Sequence, residues 1–326
     1  MPEVRLPTEV HRRKPPLRKR ALETLGWLGF VGGGLVTPRL AAKAAARIWC
    51  KLPDNAGRRK DNRPWPGRLE MLDAGLASPV AVEIWEPGSG PQGQGGGPGG
   101  AAAAGSGGAA AGAEPKTVWL MHGWGGWRGQ VAAFVEPLTA AGFRVVGADA
   151  LSHGDSGPGM HGARFSTGGE LMRTFDALVK VLGQPHGVIA HSLGCAAACR
   201  SILNGKLAVE RLTLVSPSPD MVKVAQTFAR NLGFGKRAHR LLVEEMSQRA
   251  QGSLGDFDIA AMGATGLLPD ALVIHDAADR ESPYQVAQAI AASWPAARLV
   301  TTQGLGHHRI LIDPAVVAQA AANMAA

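Results

Sequence analysis

From residue 117 onward, short aliphatic segments alternate with longer segments in which apolar residues recur every three or four positions. This alternation is typical of strands joined by right-handed helical crossovers, which produce a mainly parallel sheet with helices on both faces. The short segments are apolar throughout, as strands buried on both faces must be. The sequence therefore predicts an α/β fold on a mainly parallel, doubly wound sheet. The predicted strands lie at 117–121, 144–149, 187–191, 212–216, 271–275 and 297–301.

Two earlier segments, 68–72 and 80–85, alternate apolar and polar residues more clearly, which predicts an antiparallel hairpin at the N-terminal side of the sheet. After this hairpin comes a 29-residue segment, 87–115, in which 24 residues are Gly, Ala or Pro. Such a composition offers little to bury, so the segment is predicted to be a disordered loop. The predicted division is a basic, partly helical N-terminal arm at 1–66 followed by one domain at 67–326.

The positive charge of the chain lies in that arm. The formal net charge is +8, but residues 1–70 carry 16 Lys and Arg against 6 Asp and Glu, whereas residues 71–326 carry 18 against 20. The body is thus slightly acidic, and no nucleic-acid partner is predicted. The basic residues of the arm are followed by the apolar segment 24–37, which predicts a weak contact with a membrane surface.

The three cysteines, Cys50, Cys195 and Cys199, are an odd number and lack the spacing of metal ligands. A disulfide framework is therefore not expected, which favours a reducing compartment. The predicted location is cytoplasmic, peripheral to the inner face of a membrane if the arm binds there. Segment 24–37 lacks a small-residue cleavage site, so a cleaved signal peptide is not predicted, and no apolar segment is long enough to predict a spanning helix.

Ser192 stands between a predicted strand that ends at His191 and a predicted helix of small residues. Ala190 and Gly194 place small residues two positions on either side of it. A serine on such a sharp turn is pushed clear of the backbone, and the crowding around it tolerates only small neighbours at those positions. The pattern indicates a nucleophilic serine, although serine is also a common helix N-cap.

From about Arg68 to the C-terminus, the chain resembles an α/β-hydrolase of the serine esterase type. Five motifs carry the resemblance: His122–Gly126, Asp149–Ser156, the turn at Ser192, His275–Arg280 and Gly304–His308. The first is similar to the family's oxyanion loop, the fourth to the turn that bears its acid, and the last to the G-x-G-H turn that bears its histidine. The chain order Ser, Asp, His is also the family's order. The resemblance implies an α/β-hydrolase fold with a small helical cap at about 218–268.

The resemblance also implies a catalytic triad. A serine hydroxyl is a weak nucleophile at neutral pH, so a base must accept its proton, and a carboxylate must hold that imidazole in the right tautomer. Ser192 is assigned as the nucleophile, His307 as the base and then the acid, and Asp279 as the orienting carboxylate. The N–H of Leu193, directly after the nucleophile, is one predicted oxyanion donor, and the resemblance implies the N–H of Trp124 as the other.

Two of these assignments have a neighbouring alternative. Asp276 follows the same predicted strand as Asp279, and His308 follows His307. The family's pattern has a glycine at the position of residue 276 and its acid three residues later, which favours Asp279. The pattern places the histidine directly after G-x-G, which favours His307. Ser192 itself argues against dehalogenases and epoxide hydrolases, which need a carboxylate at that position.

Five further residues are candidates for the substrate pocket: His122, Gly123, Trp127, His191 and Phe228. His122 is expected to brace the oxyanion loop, and His191 to contact a neighbouring strand or to line the pocket. Phe228 lies on an apolar helical stripe of the cap, which either forms an acyl-binding lid or packs on the sheet. No metal site is predicted, because no ligand set has a suitable spacing.

The predicted activity is cleavage of a carboxylic ester or thioester through an acyl-Ser192 intermediate that water then releases. The predicted partner is a small-molecule ester or thioester, and this mechanism requires no cofactor. Two alternatives stay open, because a fold does not determine a reaction. One is an acyltransferase, thioesterase or perhydrolase that uses the same triad, and the other is a non-catalytic, hydrolase-like binding protein. The sequence makes no prediction about the oligomeric state.

Overall fold

The computed structural model describes residues 32–54, 59–90 and 114–326, and eight strands within these ranges form one sheet. The strands are β1 (Arg68–Leu72), β2 (Val80–Trp85), β3 (Thr117–Met121), β4 (Arg144–Ala148), β5 (Gly187–His191), β6 (Arg211–Val215), β7 (Ala271–Asp276) and β8 (Ala297–Thr302). Their order in the sheet is β1-β2-β4-β3-β5-β6-β7-β8. β2 runs antiparallel to β1 and to β4, and the other neighbouring pairs are parallel. The predicted parallel sheet with an antiparallel hairpin at its edge is confirmed.

Helices cover both faces of this sheet, and further helices lie in or beside the predicted cap. They are α1 (Pro38–Trp49), α2 (Val135–Ala140), α3 (Gly168–Leu182), α4 (Leu193–Leu203), α5 (Met221–Asn231), α6 (Lys236–Ala250), α7 (Ile259–Gly263), α8 (Gln285–Ser293), α9 (Gly306–Arg309) and α10 (Pro314–Ala325). Side chains alternate between the two faces along each strand. In β5, Val188 and Ala190 belong to the core formed with α3, α4, α7 and α8, whereas Ile189 belongs to the core formed with α2 and α10. The sheet is therefore doubly wound, as predicted.

The segment between β6 and β7 forms the small helical cap that was predicted. Its helices α5 and α6 contact each other, and α1 packs along α6. The contact face of α1 consists of alanines, and Ala42, Ala45 and Ala46 are at most 2% exposed. Side chains this small allow two helices to approach closely. Helix α1 and the cap therefore share one apolar cluster, separate from the two cores on the sheet.

Most of the predicted Gly/Ala-rich loop lies outside the described residues, which omit 91–113. Residues 1–31 of the predicted arm also lie outside them. The division into an arm at 1–66 and a domain at 67–326 stays a prediction. Across the described ranges, none of the helices has the length and apolar character needed to cross a bilayer.

Candidate active site

Ser192 occupies the sharp turn between β5 and α4. Its φ of 52° lies in the left-handed region, which is energetically costly for a residue with a side chain. Backbone hydrogen bonds hold the turn, since the Ser192 N–H donates to the Val215 carbonyl at 3.1 Å and the Cys195 N–H donates to the Ser192 carbonyl at 3.0 Å. The Ser192 side chain makes no capping hydrogen bond to α4. Helix capping therefore does not explain this serine.

Two glycines allow the chain to pack tightly around Ser192. A Cβ at Gly194 would lie 2.6 Å from the His122 carbonyl oxygen, and a Cβ at Gly123 would lie 2.7 Å from the Ser192 Cβ. Both distances are far below the favourable separation of about 3.5–4.0 Å. The need for a small residue two positions after Ser192 thus comes from the backbone that follows β3. The loop at Gly123 passes directly against the serine.

His307 and Asp279 form a buried hydrogen-bonded pair, in which the His307 Nδ1–H donates to Asp279 Oδ2 at 2.7 Å. Asp279 Oδ1 also accepts the N–H groups of Glu281 at 2.8 Å and Ser282 at 2.9 Å. Burial raises the pKa of Asp279, but the hydrogen bonds from His307 and from these N–H groups outweigh burial and hold the pKa at about 2. The carboxylate is therefore ionised at neutral pH. By accepting the hydrogen bond from Nδ1–H, it favours the tautomer of His307 whose Nε2 is free to accept a proton.

Asp276 ends β7, but its carboxylate is engaged in a turn. Its Oδ2 accepts the Thr302 hydroxyl at 2.8 Å and the Leu305 N–H at 2.9 Å. These bonds tie the end of β7 to the turn that leads into α9, which carries His307. Asp276 therefore supports the turn, whereas Asp279 contacts the imidazole.

The His308 side chain contacts Glu281 and Gln130 and does not contact Asp279. Its Nε2 lies 3.0 Å from Glu281 Oε1, and its Nδ1 lies 3.1 Å from Gln130 Nε2. The His308 side chain is 41% exposed, in contrast to 7% for His307. Of the two adjacent histidines, His307 is therefore the one that the carboxylate orients, and His308 is a surface side chain.

Two buried imidazoles brace the backbone around Ser192. His191 donates from Nε2 to the His307 carbonyl oxygen at 3.0 Å. His122 donates from Nδ1 to the Gly123 carbonyl at 2.8 Å and accepts the Ala150 N–H at Nε2 at 3.0 Å. Burial lowers the pKa of His122 to about 4 and the pKa of His191 well below its usual value. Both rings are therefore neutral at physiological pH and act as fixed supports.

The backbone N–H groups of Leu193 and Trp124, two residues that line the cavity at Ser192, make no hydrogen bond within their own helix or turn. Leu193 begins α4, where the first N–H groups have no acceptor within the helix. Trp124 lies inside the turn that the Gly126 N–H closes onto the Gly123 carbonyl at 3.0 Å, and its own N–H finds no acceptor among the described residues. Both residues line the same cavity as Ser192. They are the two residues expected to supply oxyanion donors.

A cavity of about 320 Å³, here called the serine cavity, opens at Ser192. Its walls bring Ser192 together with His307, Trp49, Trp124 and Met221. Small-molecule sites usually have volumes of about 300–1,000 Å³, so the serine cavity is large enough for a small organic substrate. Within the described ranges, no group of three or more His, Cys, Asp or Glu side chains is placed to hold a metal ion.

None of the five candidate pocket residues is among those that line the serine cavity. His122 and His191 brace the backbone, and Gly123 lies directly against Ser192.

The other two candidates, Trp127 and Phe228, make packing contacts of their own. Trp127 is 8% exposed, and the guanidinium groups of Arg63 and Arg128 lie 5.1 Å and 5.4 Å from its ring centre. Phe228 packs on Trp49 within the cap cluster, with ring centres 5.2 Å apart. The structure therefore gives both side chains packing contacts at a distance from the serine.

Trp49 lines the serine cavity, although nothing in its local sequence marks it as a pocket residue. It is the last residue of α1 and reaches the cavity because α1 packs on the cap. The regular spacing of alanines in α1 could have predicted that this helix packs on another element, because a stripe of small apolar residues is typical of a buried helix face.

Arg128 is a buried arginine that none of the sequence motifs identifies as part of the site. It is 1% exposed, pairs with Asp149, and contacts Glu83 at 2.8 Å and Asp155 at 2.9 Å. The network joins the segment after β3 to β2 and to the turn after β4. None of these four residues lines the serine cavity, so the network positions the site and does not contact a substrate there.

Comparison with known proteins finds the same architecture. A sequence model described as the alpha/beta hydrolase family matches residues 118–320. No curated protein has a sequence that matches this chain.

Three solved structures illustrate the likeness. Est1E from Butyrivibrio proteoclasticus, solved with bound ferulic acid, has 17% identity and a TM-score of 0.55 over 79% of this chain and 100% of that chain. A hydrolase from Pseudomonas aeruginosa has 20% identity and a TM-score of 0.52 over 79% and 98%. A thioesterase domain from the curacin biosynthetic pathway has 16% identity and a TM-score of 0.52 over 79% and 99%. At these identities the likeness shows a shared fold.

Proposed function

Because this chain belongs to the alpha/beta hydrolase family, we propose that it is a serine hydrolase that cleaves a carboxylic ester or thioester through an acyl-Ser192 intermediate. One observation carries the proposal: His307, hydrogen-bonded to the ionised Asp279, lines the same cavity as Ser192 on its strained turn. A nucleophile, a base and an orienting carboxylate are the three groups that this chemistry needs.

The reaction begins when His307 Nε2 accepts the proton of the Ser192 hydroxyl as Oγ attacks the carbonyl carbon of the substrate. Asp279 stabilises the imidazolium that forms. The N–H groups of Leu193 and Trp124 bind the negative oxygen of the tetrahedral intermediate, and each such donor contributes roughly 3–4 kcal/mol. The intermediate collapses, and His307 gives its proton to the departing alcohol or thiol. Water then attacks the acyl carbon while His307 Nε2 accepts its proton, which forms a second tetrahedral intermediate. That intermediate collapses with cleavage of the bond to Ser192 Oγ, and His307 returns the proton to Oγ as the acid leaves.

An acyltransferase or a perhydrolase would share the first half of this reaction and differ only in what attacks the acyl-enzyme. A thioesterase would differ only in its leaving group. A binding-only role is less consistent with the site, because a strained serine and a buried carboxylate–imidazole pair cost energy that simple binding does not require. Product analysis of one p-nitrophenyl ester, with and without an added alcohol or peroxide, separates hydrolysis from transfer.

A fluorophosphonate probe tests the nucleophile directly. Ser192 Oγ is expected to attack the phosphorus and displace fluoride, so the wild-type protein gains one covalent label, whereas Ser192→Ala gains none. Ser293→Ala at the end of α8 is the matched control and is expected to label like the wild type. Intact-protein mass spectrometry gives the readout. Absence of label on folded wild-type protein, or a label that survives Ser192→Ala, would rule out the proposed chemistry.

We also propose that the exposed face of α1 and the helical residues just before it, at 32–36, contact an anionic membrane surface on the cytoplasmic side. Leu35, Val36 and Leu40 are 79%, 82% and 66% exposed there. Exposed Arg39 and Lys43 lie on the same segment. Apolar and basic side chains together on one helix face are typical of helices that lie in the membrane interface.

Vesicle sedimentation tests this contact. The full chain is expected to bind phosphatidylserine vesicles more tightly than neutral vesicles, and added salt should weaken that binding. One basic residue near an anionic surface contributes about 1 kcal/mol, so Lys43→Ala should weaken binding about fivefold. Lys180→Ala, on exposed α3 surface, is the control and should have no effect. Binding that is equal for both lipids and indifferent to Lys43 would contradict the proposal.

A further inference from the structure

A second cavity, of about 430 Å³, adjoins the serine cavity beneath the cap and is here called the chain cavity. The two cavities have four lining residues in common: Ser218, Pro219, Val224 and Glu281. The first two belong to the segment between β6 and α5, and Val224 lies on the first turn of α5. The chain cavity therefore lies directly beside the serine cavity, and these four residues form the wall between the two.

The floor of the chain cavity is apolar. Ile259 and Ala260 of α7 form one side, and Val286, Ala289 and Ile290 of α8 form the other. Ile259 is 2% exposed and Ile290 is 1% exposed, so both belong to the rigid core beneath the cavity. A ligand part that contacts this floor must be apolar, because the floor side chains offer no hydrogen-bond partner.

The charged residues of the chain cavity are engaged elsewhere. Asp220 accepts the Val222 N–H at 2.8 Å as the N-cap of α5. Asp258 accepts the Ala260 N–H at 3.1 Å as the N-cap of α7. Lys223 lies 3.7 Å from Asp220. Glu281, the fourth charged residue of the lining, lies 3.0 Å from His308 Nε2. Each charged side chain therefore has a partner of its own, and none of them belongs to the apolar floor formed by α7 and α8.

We propose that the chain cavity binds a linear aliphatic chain of the substrate, so that the substrate class is an ester or thioester with a medium or long chain. This inference rests on the proposed function, because the chain must be attached to the carbonyl group that Ser192 attacks. An apolar cavity of roughly 150 Å³ is large enough for a benzene ring. The chain cavity is nearly three times that volume and so accommodates several methylene groups.

A series of p-nitrophenyl esters from acetate to dodecanoate tests the proposal. Burial of one methylene group is expected to raise kcat/KM about fourfold until the chain cavity is full. The p-nitrophenyl esters vary the length of the acyl chain, whereas a matching series of alkyl acetates varies the length of the alcohol chain. A rise with length in either series supports the proposal and assigns the side of the ester that the cavity holds. Flat profiles in both series would overturn it.

Filling the cavity gives the second measurement. Ala289 is exposed at the cavity wall, so Ala289→Phe should fold normally and occupy part of the chain cavity. The ratio of kcat/KM for the longest favoured ester to kcat/KM for the acetate should fall about tenfold or more, mainly through the KM of the long ester. Ala260→Phe fills the cavity from the opposite wall and should act alike. Ala292→Phe, on the same helix as Ala289 but outside the lining, is the matched control.

The fluorophosphonate label separates failure of this inference from failure of the proposed function. If wild-type protein and Ala289→Phe both label at Ser192, the chemistry stands, and the chain-length data alone decide the role of the chain cavity. An equal loss of activity on short and long esters in Ala289→Phe would then overturn the inference. If the wild type does not label, the proposed function fails first.

Discussion

Substitution of His307 by glutamine is expected to lower kcat for p-nitrophenyl butyrate by about 10⁶-fold, with little change in KM. Loss of the base from a serine triad usually has an effect of about this size, because nucleophile and base act as one unit. Glutamine can still accept a hydrogen bond but cannot take up the Ser192 proton. Steady-state kinetics on protein with a wild-type circular dichroism spectrum gives the measurement.

The neighbouring histidine provides the control for that experiment. His308→Gln should lower kcat by less than about tenfold, because His308 contacts Glu281 and Gln130 at the surface and does not contact Asp279. If the two variants exchanged places, with His308→Gln inactive and His307→Gln active, the assignment of the base would be wrong.

Substitution of Asp279 by asparagine is expected to lower kcat by about 10⁴-fold while leaving the fold intact. The Asp279 carboxylate accepts the His307 Nδ1–H at 2.7 Å and is ionised because its pKa is held at about 2. Asparagine removes the charge that stabilises the imidazolium, and its amide can favour the other tautomer of the ring. We therefore expect kcat to be lower than that of the wild type throughout the neutral pH range. Measurement of kcat from pH 6 to pH 9 tests this.

Asp276→Asn is the matched control for Asp279→Asn. Because Asp276 binds the Thr302 hydroxyl and the Leu305 N–H, its substitution should weaken the turn before α9. The free energy of unfolding in urea should fall by about 1–3 kcal/mol, with a much smaller effect on kcat than Asp279→Asn has. A larger loss of kcat in Asp276→Asn than in Asp279→Asn would assign the orienting role to Asp276.

The architecture could be predicted because its signals are local. Each strand of the parallel sheet was visible as a short apolar run, and the alternation of strands with helices implied the crossovers and hence the doubly wound layers. The hairpin of β1 and β2 was visible in its alternating pattern. The strand–turn–helix sequence around Ser192 placed a serine at the carboxyl end of β5, where the structure also has it.

The walls of the serine cavity could not be predicted in the same way. Trp124 and Trp127 lie three residues apart after β3, yet only Trp124 lines the cavity, whereas Trp127 packs against Arg63 and Arg128. Trp49, which the sequence placed in the N-terminal arm, lines it instead. The direction of a side chain in a loop depends on which distant elements pack against that loop, and the neighbouring residues in the sequence do not reveal those contacts.

Local patterns in the chain are enough to predict the succession of strands and helices, the turn that bears Ser192, and the carboxylates and histidines at the strand ends. Periodicity and turn chemistry act over a few residues, so a single chain displays them without its fold. Packing of distant segments makes Asp279 the carboxylate that contacts His307, whereas Asp276 holds a turn, and it docks α1 on the cap so that Trp49 reaches the cavity. These contacts join segments far apart in the chain, and they depend on burial and distances that exist only once the sheet and the cap have packed together.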